Sequence, residues 1–304
     1  MKAHARAMVL ASFAADSLAL GVHWIYSTEK IAKDFGRVEE FLDPAPGSFH
    51  PARKKGEFTH YGDQAFVLLE SLAAQGRFDP VDFSQRWQRL FLGYQGYIDQ
   101  ATRETLKNLS NGLAPLEAGS SSNDLSGASR IAPLVALLHD REEDLAVMAR
   151  TLTAMTHQDR LTVDAGEFFS RVCARVLRGA SPDAALGAVA GERFRATELE
   201  ELVQAGMDSC GRQSVDAIKA FGQTCHAPDA LPGVVHLICR YPGDLKEALV
   251  QAVMAGGDSA ARGMAVGMVL GAHLGEEAIP PSWVTGLKKA SEIKAVLDAL
   301  QERL

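Results

Sequence analysis

Four well-separated stretches of the chain hold polar residues that a purely structural helix does not require. In Ala15-Asp16-Ser17-Leu18 a carboxylate interrupts an otherwise apolar helical pattern. Burying an unpaired carboxylate is costly, so Asp16 must meet a donor, a cation or water, either as a ligand-binding group or as a cap on a neighbouring helix. In the stretch 56–72, Thr59, His60, Tyr61 and Asp63 bunch at the start of a helix that then turns strongly apolar. The free N–H groups of a helix start attract anions, although an ordinary N-cap with a first-turn acid gives the same pattern. Thr156-His157-Gln158-Asp159 places an imidazole between two helices, as a bracket or as a ligand-binding group. Gly256-Gly257-Asp258-Ser259 lets backbone approach something closely, and Gly263, Gly267, Gly271 and Gly275 at every fourth position let a second helix approach.

Elements that could position these groups are helical almost throughout. Apolar residues recur at helical spacing, as in Phe66, Leu69 and Leu72 or Phe168, Val172 and Val176, and alternating runs of strand length are hard to find. The pattern predicts an all-α chain of about a dozen helices. Ser181-Pro182-Asp183 opens one helix, Ser214 caps another, and Pro280-Pro281-Ser282 separates two more. No solenoid repeat and no long linker divides residues 1–304, so one domain is expected. Residues 35–62 are the exception: turn residues run throughout, no helical face is visible, and the segment leads directly into Thr59 and Tyr61, so it is expected to cover one mouth of a cleft. Ahead of Arg130-Ile131-Ala132-Pro133, the Asn123 to Gly127 loop has the small polar residues that leave N–H groups free for an anion, which makes Arg130 structural or phosphate-facing.

With 31 Lys plus Arg against 38 Asp plus Glu the chain carries a formal charge of −7, which argues against a nucleic-acid partner. Its longest apolar stretches, such as 234–239, fall far short of the ~20 residues of a spanning helix. Cys173, Cys210, Cys225 and Cys239 are scattered without CxxC spacing, so a reducing cytoplasm is the expected location.

Taken in order, these segments resemble the ADP-ribosylglycohydrolase family, including its J1-crystallin-like branch. The resemblance rests on Asp16-Ser17-Leu18, Gly56 with Thr59 before a helix carrying Glu70-Ser71-Leu72, Arg130-Ile131-Ala132-Pro133, Thr156-His157, Gly256-Gly257-Asp258 and Gly271-Ala272 with Gly275, and it covers nearly the whole chain. It implies one compact orthogonal bundle of helices, a central cleft holding two magnesium or manganese ions, and hydrolysis of ADP-ribose bonds in a small-molecule or ADP-ribosylated substrate.

The departures bear on mechanism. Where the family reads Thr-Asp-Asp-Thr, the chain has Thr59-His60-Tyr61-Gly62, and where it reads Asp-x-Asp-Thr, the chain has Asp258-Ser259-Ala260-Ala261. The family's acid seven residues beyond the Asp-x-Leu aspartate is His23 here. Of the metal-binding side chains the resemblance implies, Thr59 and Asp258 persist, and hard cations need several oxygens, so any magnesium is expected to be weak and dispensable. A transition-metal site using His23, His60 and His157 is the imidazole alternative. The expected activity is hydrolysis at a rebuilt centre, with Asp258 or Asp63 handling the attacking water and His60 or His23 protonating the leaving group. Asp16, Tyr61, Asn123, Gly127, Arg130, His157 and Arg262 are the ligand-binding candidates, Arg262 as a fixed positive charge in place of a metal. A non-catalytic nucleotide-binding or crystallin-like protein on the same fold is the alternative.

Overall fold

The computed structural model describes residues 3–303. Among them it contains seventeen α-helices, one 3₁₀ turn and no strand. The all-α expectation is therefore met, with more helices than the pattern suggested. The excess lies in pieces such as Ser126–Ser129, Ala132–Leu138 and Pro281–Gly286, which are too short to show a repeat of 3.6 residues. Pro182–Arg193 opens after Ser181 as expected. Ser214, expected as a cap, is instead the first residue of its helix, and its hydroxyl lies 3.1 Å from both His236 Nε2 and the Tyr241 hydroxyl.

The most extensive helix pair joins Ala3–Leu20 to Ser259–Leu274. Both are apolar on nearly every face, so neither is stable in water without neighbours all round. Small residues set their spacing. A Cβ placed on Gly267 would stand 2.7 Å from the Ala11 carbonyl oxygen, and one on Gly271 would stand 2.7 Å from the Ala11 Cβ. Backbone thus lies against backbone along a seam of glycine and alanine. Because the seam is tight, the C-terminal end of the first helix and the N-terminal end of its partner are held in fixed relation. Asp16 and His23 leave from the first, and Asp258 caps the second by accepting from the Ala261 N–H.

A second wall of the site is the His60–Gln75 helix, whose N-cap Thr59 accepts from the Tyr61 N–H and whose left-handed C-cap is Gly76. Residues 36–59 run irregularly between the Thr28–Phe35 and His60–Gln75 helices. They are pinned rather than loose: Trp283 Nε1 donates to the Glu39 carbonyl at 2.8 Å, the Lys288 N–H to Gly56 at 2.8 Å, and the Ser17 hydroxyl to Glu57 at 2.9 Å. One buried apolar cluster extends from Ala5 to Leu300.

The seam makes a contrasting prediction. Gly267→Ala should destabilise the protein by about 1–3 kcal/mol, because the new methyl overpacks against backbone that cannot rotate away. Gly263→Ala, whose Cβ would meet nothing nearer than 3.5 Å, should be neutral or stabilising by up to about 1 kcal/mol through helix propensity. Equilibrium urea unfolding of the two variants measures both; equal effects would remove the seam as the constraint.

Candidate active site

The site is centred on Asp258. Gly256 and Gly257 both adopt left-handed backbone, φ +70° and +67°, which residues with a Cβ rarely do. This doubles the chain back so that the Gly257 N–H donates to the Ile25 carbonyl, the Gly257 carbonyl accepts from Trp24, and the Asp258 N–H donates to Gln223. A Cβ on Gly257 would fall 2.0 Å from the Gln223 oxygen, so the glycines are required by contact as well as conformation. Arg262, fully buried, closes the loop from beneath by donating from Nη2 to the carbonyls of Gly256 at 2.5 Å and Ala252 at 2.8 Å.

Both oxygens of the Asp258 carboxylate are occupied. Oδ1 lies 3.1 Å from His23 Nε2 and accepts from the Ala261 N–H, and Oδ2 accepts from the Tyr61 hydroxyl at 3.0 Å. Burial by itself would raise the Asp258 pKa, but His23, the Ala261 N–H and the Tyr61 hydroxyl outweigh it and hold the group below the ordinary carboxylate value. Burial lowers the His23 pKa, so a neutral ring presents its Nε2–H to an ionised Asp258.

Asp124 stands beside this group. The Leu125 N–H donates to the Cys225 carbonyl and the Ala227 N–H to Asn123, each at 2.8 Å, so two segments a hundred residues apart run side by side. One oxygen each from Asp124 and Asp258 and the Cys225 sulfur all lie within 4.8 Å of one another. Burial, and then the charges of Asp258 and Asp99, push the Asp124 carboxyl up to about 7, against the hydrogen bonds from Ser126. Burial, then the charges of Asp124 and Asp258, also raise the Cys225 thiol. The Tyr61 hydroxyl lies 3.5 Å from Asp124 as well as 3.0 Å from Asp258, and so touches both members of the pair.

On the far side of His23 is a cluster of rings. His23 Nδ1 is 3.0 Å from His50 Nε2, and His50 comes from the irregular 36–59 segment. Burial, then His23 and His60, lower the His50 pKa to about 2, so this ring too is neutral. His60 Nε2 lies 3.1 Å from Asp99 Oδ2. Trp24, Tyr97 and Phe49 complete the cluster. Trp24 has φ +64°, a backbone state that costs a bulky residue on the order of 1–3 kcal/mol.

The remaining candidates from the sequence lie in four places. Asp16 is fully buried and accepts from the Thr59 N–H at 2.8 Å and the Thr59 hydroxyl at 2.5 Å, locking the first helix onto the start of the His60–Gln75 helix. Gly62 makes room for it, since a Cβ there would stand 2.4 Å from the Asp16 carboxylate. Burial pushes the Asp16 carboxyl up to about 7 despite the Thr59 hydrogen bonds. Asp63 accepts from Arg53 at 2.5 Å and Tyr94 at 2.6 Å. Arg130 is buried and donates to Gln64 and Thr156, Thr156 shares a 2.9 Å contact with His157 Nδ1, and the His157 ring lies over Gly127. Asn123 bonds the His226 ring at the surface.

Comparison with known proteins places the chain in a family and supports its all-α fold. Residues 1–304 match the ADP-ribosylglycohydrolase family. The chain belongs to that family. Crystallin J1A of Tripedalia cystophora is 22% identical over all of this chain and 98% of its own length. The ADP-ribosylhydrolase ARH3 of Bos taurus is 24% identical, over 87% of this chain and 83% of its own. A solved ADP-ribosylglycohydrolase-related protein complex superposes with a TM-score of 0.80 at 26% identity, covering 99% of this chain and 97% of that one.

Relative to the family pattern, the site includes six residues that sequence reasoning did not single out: Trp24, His50, Tyr97, Asp99, Asp124 and Cys225. Asp124 lies within the loop already marked by Asn123 and Gly127, and an acid followed two residues later by a serine is a turn signal that could have drawn attention to it. His50 and Cys225 had no such signal.

The Asp124 carboxyl yields a stability prediction with a definite sign. A folded-state pKa of about 7 against 3.8 means that protonation favours the folded protein; the benefit is complete below pH 3.8 and lost as pH rises through 7. Asp124→Asn, uncharged at every pH, should therefore be more stable than the parent by more than about 1 kcal/mol at pH 8, with the difference shrinking toward pH 4. Guanidinium unfolding at the two pH values tests this, and an unchanged pH 8 midpoint would mean that Asp124 ionises without cost.

Proposed function

We propose that this member of the ADP-ribosylglycohydrolase family is a hydrolase that cleaves a glycosidic bond of an ADP-ribosyl or nucleotide-like substrate through paired carboxylates. The observation that carries the reading is the splitting of Asp124 and Asp258 into a protonated and an ionised partner within one hydrogen-bonded group. Two titratable groups pushed apart in this way are an acid and a base ready for use. Asp258 orients the attacking water and takes its proton as oxygen attacks the anomeric carbon. Asp124 gives its proton to the leaving atom as the glycosidic bond breaks. The Tyr61 hydroxyl, touching both carboxylates, then passes a proton from Asp258 back to Asp124 and resets the pair. His23 holds Asp258 in place; the pKa directions favour Asp124 over His23 as the acid, because His23 is neutral.

The donor set does not fit the two hard cations of the family. The Thr59 hydroxyl is committed to Asp16 and to the Tyr61 N–H, Tyr61 and His60 replace carboxylates, and the remaining group of Asp124, Cys225 and Asp258 offers two carboxylates and a thiol, too few oxygens for two hard cations. No step is routed through a metal. The buried positive charge of Arg262 beside Asp258 supports the same reading. No described helix is long and apolar enough to cross a membrane; the four free cysteines support a cytoplasmic setting, and membership of the family supports a small-molecule or ADP-ribosylated partner. The core cluster reaching from Ala5 to Leu300 supports one domain. A non-catalytic role is the second reading, favoured by the full-length likeness to Crystallin J1A.

Metal-stripped protein should bind ADP-ribose equally well with and without millimolar magnesium in calorimetric titrations. Hydrolysis of arginine- and serine-linked ADP-ribosyl peptides, followed by release of ADP-ribose, should fall at least about 100-fold in Asp258→Asn and in Asp124→Asn. It should also decline above about pH 7, as Asp124 loses its proton. Magnesium binding near two ions per chain at micromolar affinity would restore the two-metal mechanism; ADP-ribose binding without any turnover would favour the second reading.

A further inference from the structure

The donors that are too few for two magnesium ions are of the right kind for a single, softer cation. Asp124, Cys225 and Asp258 each place a ligand atom within 4.8 Å of the other two, and they come from three separate segments of the chain. An ion midway among such atoms lies within about 2.8 Å of each, so shifts of less than about 1 Å bring all three to the ~2.0–2.3 Å at which zinc takes oxygen and sulfur. Side-chain rotation covers that distance. Cys225 is half-buried while Asp124 and Asp258 are buried, so the thiol is the member of the group that gives an ion a way in.

A second observation points to positive charge at the same place. Asp124 is 7% exposed, and its two oxygens are unequally served. Oδ1 accepts from the Ser126 N–H at 2.8 Å, whereas the donor facing Oδ2 is the Tyr61 hydroxyl at 3.5 Å, whose single proton goes to Asp258 at 3.0 Å. One phenol proton cannot serve two carboxylates, so the gap between them calls for a proton, as in the hydrolase reading, or for a metal ion. Hydrogen bonds from His23 and the Ala261 N–H hold Asp258 Oδ1, which orients that carboxylate as metal-binding carboxylates are oriented. His23 is not a donor to the ion, because its Nδ1 faces His50 at 3.0 Å and its Nε2 faces Asp258 at 3.1 Å. The thiol decides which ion suits the group. Magnesium and calcium bind through oxygen, while zinc, cobalt and cadmium accept a thiolate together with carboxylates and complete four-coordination with water.

We propose that Asp124, Cys225 and Asp258 form a binding site for a single divalent cation of the zinc class. The Cys225 S–H bond breaks, its proton passes to solvent and the sulfur binds the metal as thiolate; no electron is transferred. The consequence for turnover rests on the hydrolase reading. With the ion in place Asp258 cannot take a proton from water and Asp124 cannot give one, so the cation inhibits. The buried charge of Arg262 beside Asp258 opposes a dication, which keeps the affinity near about 1 μM, well short of a structural zinc site.

Cobalt is the probe, because a cobalt–thiolate bond gives a charge-transfer band in the near ultraviolet. The metal-stripped full chain is titrated in a background of Cys210→Ser and Cys239→Ser, so that the other accessible thiols do not contribute. A single cobalt per chain should bind with the band, and zinc should bleach it by displacement with a Kd of about 1 μM. Magnesium at about 10 mM should leave it in place. Cys225→Ser should remove the band and weaken zinc at least about 30-fold. Asp124→Asn should keep the band but weaken zinc at least about tenfold, and it covers the case in which Cys225→Ser does not fold, as judged by melts without metal. No band, a band that survives Cys225→Ser, or displacement by magnesium would overturn the proposal. Hydrolysis of ADP-ribosyl peptides is followed in parallel and should fall at least about tenfold in zinc at about 10 μM. If zinc binds through Cys225 and the rate is unchanged, the site stands and the paired-carboxylate reading falls. If hydrolysis proceeds and zinc does not bind, the reverse holds.

Discussion

The contact on which the rest of the structure depends is the close approach of Ala3–Leu20 to Ser259–Leu274. Two helices separated by most of the chain touch through alanine and glycine, with no long side chain between them to adjust. Their ends carry Asp16, His23 and Asp258, so the spacing of the seam becomes the spacing of the site. A change of an ångström in the seam would part His23 from Asp258 and withdraw the hydrogen bond that helps keep that carboxylate ionised. Packing and electrostatics are here one constraint.

Within that frame the site manages charge by economy. Asp124 and Asp16 are raised toward neutrality by burial, and His50 and His157 are held neutral in the same way, while Asp258 stays ionised because three donors converge on it. Arg262 and Arg130 supply fixed positive charge whose hydrogen bonds go to carbonyls and neutral side chains. The buried carboxylates of this network are thus balanced by protons, hydrogen bonds and guanidinium groups of the chain itself.

How much of this could be read from the sequence depends on whether the signal is local. Helical spacing announced the all-α architecture, and the doubled glycine before Asp258 announced a close backbone approach, because both leave a pattern within a few residues. Thr59 was legible as a cap for the same reason. Asp124 and Cys225 meet only because residues 123–125 pair with 225–227, and no periodicity records a pairing across a hundred residues. His50 lies in a segment with no repeat at all, and the left-handed backbone of Trp24 contradicts the preference of its residue type. Six of the site residues are therefore tertiary facts, and only their neighbours are visible in one dimension.

The seam also has a temporal side. During synthesis the helix Ala3–Leu20 is made first, and its main partner begins about 240 residues later, a delay of roughly 12–48 s at ~5–20 residues per second. Throughout that interval a segment buried on nearly every face in the finished protein lacks the neighbour that covers most of it, with only earlier helices such as His60–Gln75 and Ala132–Leu138 to lie against. The nascent chain must therefore shelter that segment in a provisional hydrophobic collapse or hand it to a chaperone, and the site can be assembled only after Ser259–Leu274 has been made.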